Sequence, residues 1–331
     1  MRAAVMTQFG QPWEFQTLPD PRPGDGQVSI KIEASGMCYT DIHGHRGHLP
    51  LKLPVVLGHE PVGTIVETGP GVTGFKVGDR VGVSWVQKGC GRCKHCQEKR
   101  ELYCRAQVSW MDIGGGNSEL MLAYASGCTL VPEGLSPEAA APIFCAGFTV
   151  LSGLRNADPR PGDRVAVLGL GGLGHLALQY ARALGLETVA VTSTEGKRRE
   201  LMALGADEVI FAGQDAGKAL RDAGGADVIL ATSNAAAPTA QIVKGLRPEG
   251  RLVLMGLVEA PIQISVMDLL LDQCRIVGST QNRRGDLVEA LDLAAQGKVK
   301  PILEEYPIDR ANEVRDRLEA GKVRYRAVLK P

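Results

Sequence analysis

Between Arg164 and Ser279 six short apolar runs alternate with helix-forming segments, and no other stretch of the chain restricts the possible folds as strongly. The runs are Arg164–Leu170, Thr188–Ser193, Glu208–Phe211, Asp227–Thr232, Arg251–Gly256 and Arg275–Ser279. Apolar strands separated by helices pack most readily as a parallel, doubly wound sheet, an α/β arrangement. The helical period is plain after the first run, where Leu173, Leu176, Ala177, Tyr180, Ala181 and Leu184 recur three and four apart until Gly185 stops it.

The first run ends in Gly169-Leu170-Gly171-Gly172-Leu173-Gly174, a G-x-G-x-x-G turn. Taken alone the match fits a flexible glycine loop. Between a strand and a helix it predicts a dinucleotide site, because glycines let the backbone approach a pyrophosphate whose charge is met by N–H groups at the helix start. An acid at the end of the second run would bind the ribose 2′-hydroxyl of NAD, but the chain reads Thr192-Ser193-Thr194-Glu195-Gly196-Lys197-Arg198. Hydroxyls at Thr192, Ser193 and Thr194, followed by the cations Lys197 and Arg198, suit a 2′-phosphate and favour NADP over NAD. The alternative is that Lys197 and Arg198 are a solvated first helical turn, and Glu195 then weighs toward NAD.

From Met1 to about Ala146 the pattern differs. Short β-like segments broken by Gly and Pro, at Gln27–Glu33, Gly63–Glu67, Arg80–Val86 and Glu119–Ala123, predict an irregular β body. After Thr280, Asp286–Gln296 and Arg310–Ala320 read as surface helices ahead of a terminal strand, Tyr325–Leu329. This tail is expected to rejoin the first domain, although the sequence also allows it to stay with the second. A length of 331 residues fits two domains. Thirty-seven basic residues balance thirty-seven acidic ones, so there is no electrostatic footprint for nucleic acid or an anionic membrane, and a small-molecule partner is expected. The N-terminus lacks the apolar run of a secretory signal, and no stretch approaches ~18 uninterrupted apolar residues, so a soluble cytoplasmic protein is expected. In that setting the eight cysteines call for metal or catalysis rather than disulfides.

Cys90, Cys93, Cys96 and Cys104 form C-x2-C-x2-C-x7-C, a spacing suited to a closed tetrahedral zinc shell with no position left for chemistry. Lys88, Arg92, Lys94, Lys99, Arg100 and Arg105 would offset the thiolate charge. The rival is an iron–sulfur cluster, whose usual run brings the fourth Cys sooner and before Pro; unligated thiols are a third option. Cys38, His59 and Cys145 are dispersed, and any one of them alone reads as a buried small residue or a satisfied core histidine.

These residues together resemble the zinc-dependent alcohol dehydrogenases of the medium-chain dehydrogenase/reductase superfamily. The resemblance covers essentially the whole chain, and Gly58-His59-Glu60 with Gly63, Gly69 and Val72 reproduces the family's zinc signature G-H-E-x2-G-x5-G-x2-V. It implies a GroES-like irregular β catalytic domain at 1–147 and 281–331, with a zinc lobe at 88–105, and a Rossmann domain at 148–280. It also implies two zinc ions per chain, one structural and one catalytic on Cys38, His59 and Cys145, with the fourth position open. Thr40 then takes the place of the relay hydroxyl and His43 that of the histidine passing the proton to solvent. Asp41 matches a carboxylate orienting His59, and Glu60 an acid beneath the metal.

Trp85 and Trp110 are placed at the substrate pocket, with ordinary core as the alternative. Leu49 stands where some small-alcohol enzymes carry Trp, which suggests longer or aromatic alcohols. His45 and His48 read as loop residues, and Cys128 and Cys274 as buried thiols. The second strand resembles that of the cinnamyl-alcohol-type enzymes. The implied activity is an NADP-preferring alcohol dehydrogenase, or aldehyde reductase, acting on primary alcohols as a homodimer or homotetramer. The alternatives are an NAD-dependent small-alcohol or polyol dehydrogenase and, from another class, a non-catalytic zinc scaffold or thiol redox sensor. Polyol enzymes commonly carry an acid in place of the third cysteine, so Cys145 argues against that reading.

Overall fold

The computed structural model describes all residues, Met1–Pro331. The chain divides into two units: Met1–Cys145 with Arg283–Ala295 and Pro301–Pro331, and Ala146–Asn282 with Gln296–Lys300. No single helix is long and apolar enough to cross a membrane.

In the second unit the apolar runs form a six-stranded parallel sheet. Its spatial order is Glu208–Phe211, Glu187–Thr192, Arg164–Leu168, Ala226–Ala231, Leu246–Leu254 and Arg275–Gly278. The order reverses at the first strand, and in open α/β sheets ligands bind at the carboxyl ends beside such a switch point. Both faces of the central strands are covered, so Val165, Val167, Val228, Ile229 and Leu230 are fully buried and the strands read as unbroken apolar runs rather than alternating ones.

The fifth strand begins five residues ahead of its apolar run, at Leu246. Pro248 and Gly250 hide that beginning from a propensity reading, and a register shift between Ala226 and Val228 accommodates it. The helix Gly174–Ala183 buries Leu176, Ala177, Tyr180 and Ala181. A side chain on Gly174 would place its Cβ 2.0 Å from the Gly169 carbonyl oxygen, so the strand-to-helix turn closes only around glycine. The charged groups gather at the opposite ends of the strands. There buried Arg164 lies 2.9 Å from Glu187, contacts Glu208 and donates to the Gly225 carbonyl, while Asp227 accepts from the Arg164 backbone and from Arg247.

The first unit is built on a mixed sheet ordered Cys128–Leu130, Arg80–Val83, Glu60–Thr68, Gln27–Met37, Arg326–Lys330 and Leu303–Pro307, with Leu120–Tyr124 also paired to Gln27–Met37. The expected strand Arg80–Val86 is two strands. It stops at Val83, where the Ser84 hydroxyl bonds to the Gly127 carbonyl, and Val86–Lys88 then pairs with Val108–Ser109. The tail returns to this unit, where Arg326–Lys330 runs antiparallel to the end of Gln27–Met37 with Ala327 opposite Met37. The helix Arg284–Ala295, read as a surface helix, buries Leu287, Ala290, Leu291 and Leu293. Gln296–Lys300, read as part of the returning tail, clusters with the second unit because Gln179 brackets Lys300, accepting from its N–H at 2.8 Å and donating to its carbonyl at 3.1 Å.

Ile229 lies at the centre of the parallel sheet with no exposed surface. Ile229→Ala should cost about 3 kcal/mol and lower the calorimetric transition by roughly 10 °C; a shift of under about one degree would show that the sheet centre does not limit stability.

Candidate active site

Strand Gln27–Met37 ends directly at Cys38, which caps the helix Tyr39–His45. The Cys38 thiol accepts from the Thr40 N–H at 3.4 Å, and the Asp41 carboxylate accepts from the Cys38 N–H at 2.9 Å. The other Asp41 oxygen accepts from the Gly58 N–H at 3.2 Å, which ties this helix to the loop that carries His59. Gly58 has φ +97°, and a Cβ there would lie 2.4 Å from the Asn117 side-chain oxygen, so the loop reaches this position only with glycine. Cys145 follows the 3-10 turn Ala141–Phe144. The four residues converge: Cys38 Sγ lies 3.9 Å from Cys145 Sγ, and one ligand atom from each of Cys38, His59, Glu60 and Cys145 falls within 4.8 Å of the others.

All four side chains are buried. Both His59 ring nitrogens lack a hydrogen-bond partner, with Asp41 Oδ2 at 3.7 Å from Nδ1 and Glu60 Oε1 at 3.9 Å from Nε2. Two thiols and an unpartnered buried imidazole are a donor set suited to zinc, and such an ion would supply the missing partner. The electrostatics agree. The hydrogen bond from Cys145 holds the Cys38 thiol well below its ordinary range, with His59 assisting against burial, and Cys145 is pushed up in return. Burial works against a charged His59, yet Asp41 raises it above the ordinary value. Burial likewise raises Glu60, opposed by Arg326.

Arg326 is the residue that sequence reasoning missed. It is 3 % exposed and donates from Nη2 to Glu60 Oε1. No local pattern announces it, since the two residues are 266 positions apart and meet only because the terminal strand pairs beside Cys38.

Cys90, Cys93, Cys96 and Cys104 form a second cluster of four sulfurs, again within 4.8 Å of one another. The short helix Lys94–Gln97 presents Cys93 and Cys96 at 3.6 Å, and the Cys90 N–H points at the Cys104 sulfur at 3.4 Å. Backbone N–H groups of Arg92 and Cys93 bring the Cys90 thiol down to about 6. Loss of solvent pushes Cys96 up to about 12. Of the nearby cations, Lys94 and Arg100 pair with Glu98, and Lys88 lies over the Tyr124 ring at 4.7 Å.

Thr40 Oγ1 lies 3.5 Å from the Cys38 sulfur. His43 is one turn further along the same helix, with its ring edge on Tyr39 at 5.3 Å and Nδ1 3.4 Å from His48 Nδ1. His45 is not a loop residue: it ends the helix, is 8 % exposed, and packs edge-on against Trp13, where burial lowers its pKa. His48 is exposed. Trp85 and Trp110 both pack on His59, the first edge-on at 5.6 Å and the second stacked at 5.8 Å, and Trp110 is fully buried. Cys128 is buried, and burial pushes its thiol up to about 12. Cys274 is only half-buried, with its thiol donating to the Arg247 carbonyl at 3.5 Å.

In the second unit Gly169 sits at the carboxyl end of the first strand with φ +90°, and Gly171, Gly172 and Leu173 lead into the helix that starts at Gly174. The Thr192 hydroxyl accepts from the Thr194 N–H at 3.1 Å. Ser193, Thr194 and Glu195 are exposed and Lys197 is half-buried. Arg198 lies 5.6 Å over the Phe211 ring and donates to the Val209 carbonyl at 3.0 Å, which anchors its guanidinium on the third strand.

A parallel α/β unit with a glycine turn at its switch point, joined in one chain to a β unit with a buried thiol–imidazole cluster, defines the class of zinc-binding, nucleotide-linked oxidoreductases. Residues 24–133 match the alcohol dehydrogenase GroES-like domain, and residues 172–296 match the zinc-binding dehydrogenase domain. The chain is 42 % identical to an alcohol dehydrogenase of Geobacillus stearothermophilus over 100 % of its own length and 99 % of the relative's. It is 40 % identical to an alcohol dehydrogenase of Moraxella over 99 % of each. Among solved structures it superposes on the alcohol dehydrogenase of Aeropyrum pernix with a TM-score of 0.92 at 29 % identity, covering 100 % of both chains. A cinnamyl alcohol dehydrogenase of Sorghum bicolor gives 0.91 at 31 % identity, covering 99 % of this chain and 97 % of that one. The chain belongs to the zinc-dependent alcohol dehydrogenases of the medium-chain dehydrogenase/reductase superfamily, and is an NAD(P)-dependent oxidoreductase acting on alcohols.

Two substitutions separate the clusters. Cys38→Ser should lower the zinc content by about one ion per chain and cut turnover roughly a thousandfold or more, with the circular dichroism spectrum unchanged; retained activity would remove this cluster from the chemistry. Cys93→Ser should instead lower thermal stability first, because a closed zinc shell contributes folding free energy. An equally stable variant would count against a structural ion in the four-sulfur lobe.

Proposed function

We propose that the chain interconverts primary alcohols and aldehydes with NADP(H) preferred over NAD(H), carries two zinc ions, and works as a homo-oligomer. The observation that carries the cofactor preference is the acid-free end of the second parallel strand, where exposed Ser193 and Thr194 are followed by Lys197 and an anchored Arg198. A 2′-phosphate presented there meets hydroxyl donors and two cations, whereas an acid in that place would repel it. A structural neighbour, the cinnamyl alcohol dehydrogenase of Helicobacter pylori, has been determined in complex with NADP(H). Exposed Glu195, in the same loop, is the observation that favours NAD.

When bound, zinc on Cys38, His59 and Cys145 would supply Lewis-acid activation of the alcohol and the nicotinamide would supply the hydride acceptor. The rest falls to the chain itself. Thr40 places its hydroxyl beside the Cys38 sulfur, where Oγ1 can accept a hydrogen bond from the alcohol and pass its own proton on as it receives the alcohol's. His43 shares a helix face with Thr40 three residues away and can carry that proton onward on a ring nitrogen. Asp41 orients the site twice over, fixing the Cys38 backbone and facing the His59 ring. We read half-buried Trp85, edge-on to His59, as the residue that narrows the substrate side, and buried Trp110, stacked on the imidazole, as a support for that ring.

Initial rates of benzaldehyde reduction across matched titrations of NADPH and NADH test this reading, with a higher kcat/KM expected for NADPH. Replacing Lys197 and Arg198 together by Ala should raise the KM for NADPH by about tenfold while leaving NADH nearly unchanged. A wild-type preference for NADH would overturn the cofactor assignment without touching the hydride-transfer chemistry.

A further inference from the structure

The helix Tyr39–His45 ends in a way that sets a second imidazole against His43. Gly47 stands in the left-handed region at φ +77°, its N–H donates to the Gly44 carbonyl at 3.0 Å, and the His48 N–H donates back to the His43 carbonyl at 2.9 Å. These two bonds make a Schellman cap, which folds the residue after the glycine onto the third residue from the helix end. The side-chain contact at that place is commonly apolar. Here it joins two imidazoles, with Nδ1 of His43 3.4 Å from Nδ1 of His48 and the ring centroids 5.7 Å apart. We propose that His48 is the group through which the proton carried by His43 is exchanged with water. The proposal rests on the reading of Thr40 and His43 as proton carriers.

The two rings differ in the property that this step needs. His43 is 4 % exposed, so a proton held there has not reached bulk solvent, whereas His48 is exposed. An imidazole accepts a proton on one nitrogen and donates from the other, and adjacent rings within hydrogen-bond reach can hand one along. When His43 carries the extra proton, its Nδ1–H bond breaks as Nδ1 of His48 forms one, and His48 then gives a proton to water. No electrons are exchanged, and both rings end neutral. In aldehyde reduction the same bonds break and form in reverse order.

The cap that holds the pair is itself held. The Gly10 N–H donates to the His45 carbonyl at 2.8 Å, and a Cβ on Gly47 would lie 3.2 Å from the Phe9 ring. A residue other than glycine at that φ is strained, so the turn that presents His48 depends on Gly47. His45, the remaining histidine of this segment, packs against Trp13 at 6.2 Å and is buried, which leaves His48 as the exposed imidazole beside His43.

The test uses the full-length zinc-loaded enzyme in dilute buffer. In a single turnover of benzyl alcohol with the better of the two nicotinamide cofactors, stopped-flow absorbance follows the reduced nicotinamide, and an indicator dye follows the proton reaching water. In wild type the two signals should keep pace. His48→Phe, which keeps a ring against His43, and His48→Ala should each form reduced nicotinamide while the dye signal lags at least about tenfold. Imidazole added to the Ala variant should remove the lag. A second readout needs no turnover: in NMR spectra of enzyme carrying isotope-labelled histidine, the His43 ring N–H should exchange with water at least about tenfold more slowly in His48→Phe than in wild type.

Signals that keep pace in both variants would overturn the assignment. A lag in His48→Ala that His48→Phe does not share would also overturn it, because packing and not proton transfer would then be the property lost. If wild type forms no reduced nicotinamide, the alcohol-oxidation reading falls instead, and the NMR exchange rates alone decide whether His43 reaches water through His48, equal rates in the two proteins overturning it.

Discussion

Bringing two thiols, an imidazole and a carboxylate together out of water is the constraint on which the first unit is organised. Cys38, His59, Glu60 and Cys145 are all nearly inaccessible. An uncompensated charge in such a place costs several kcal/mol. The fold answers with a donor set suited to a dication and with Arg326 paired to Glu60. That answer has topological consequences. The C-terminal strand must pair with the end of Gln27–Met37 to deliver the guanidinium, and Asp41 must grip both Cys38 and Gly58 to bring the two ligand loops together.

The two cysteine clusters are assembled in opposite ways. Cys90, Cys93, Cys96 and Cys104 lie within fifteen residues, so a local loop and one short helix close the shell. The other set gathers its candidate ligands from a helix cap, a strand entrance and a 3-10 turn, with Glu60 of the same cluster paired to Arg326. A closed shell is suited to holding a lobe together, while a shell assembled from separate elements can be left incomplete. In the second unit the ion pairs of Arg164 and Asp227 occupy the amino ends of the parallel strands, which leaves the carboxyl ends to the glycine turn and the loop that follows Thr192.

Strong local periodicity made much of the fold legible in advance. The six parallel strands and the helix behind the glycine turn follow from apolar runs and from residues three and four apart, because a strand buried on both faces and a helix buried on one leave distinct traces in sequence. The misreadings fall where tertiary bonds override that pattern. Ser84 ends a strand that its apolar residues would continue, Pro248 and Gly250 hide the start of another, and the Gln179 side chain draws residues 296–300 to the second unit. His45 read as a loop residue because nothing local shows that Trp13 covers it.

By itself the sequence determined the parallel sheet, the glycine turn, the compact four-sulfur lobe and the identity of the residues able to ligate a metal. These properties are local: they depend on side-chain chemistry and on spacing within one turn, one strand or one short loop. The tertiary structure brings Cys38, His59 and Cys145 into one pocket, as the family resemblance implied and their spacing alone could not, and it alone decided that Trp110 stacks on His59 and that a strand end 266 residues from Glu60 supplies its counter-charge. Those contacts follow from strand pairing across long separations, and a register set by the burial of whole sheet faces leaves no mark on any one of the residues it brings together.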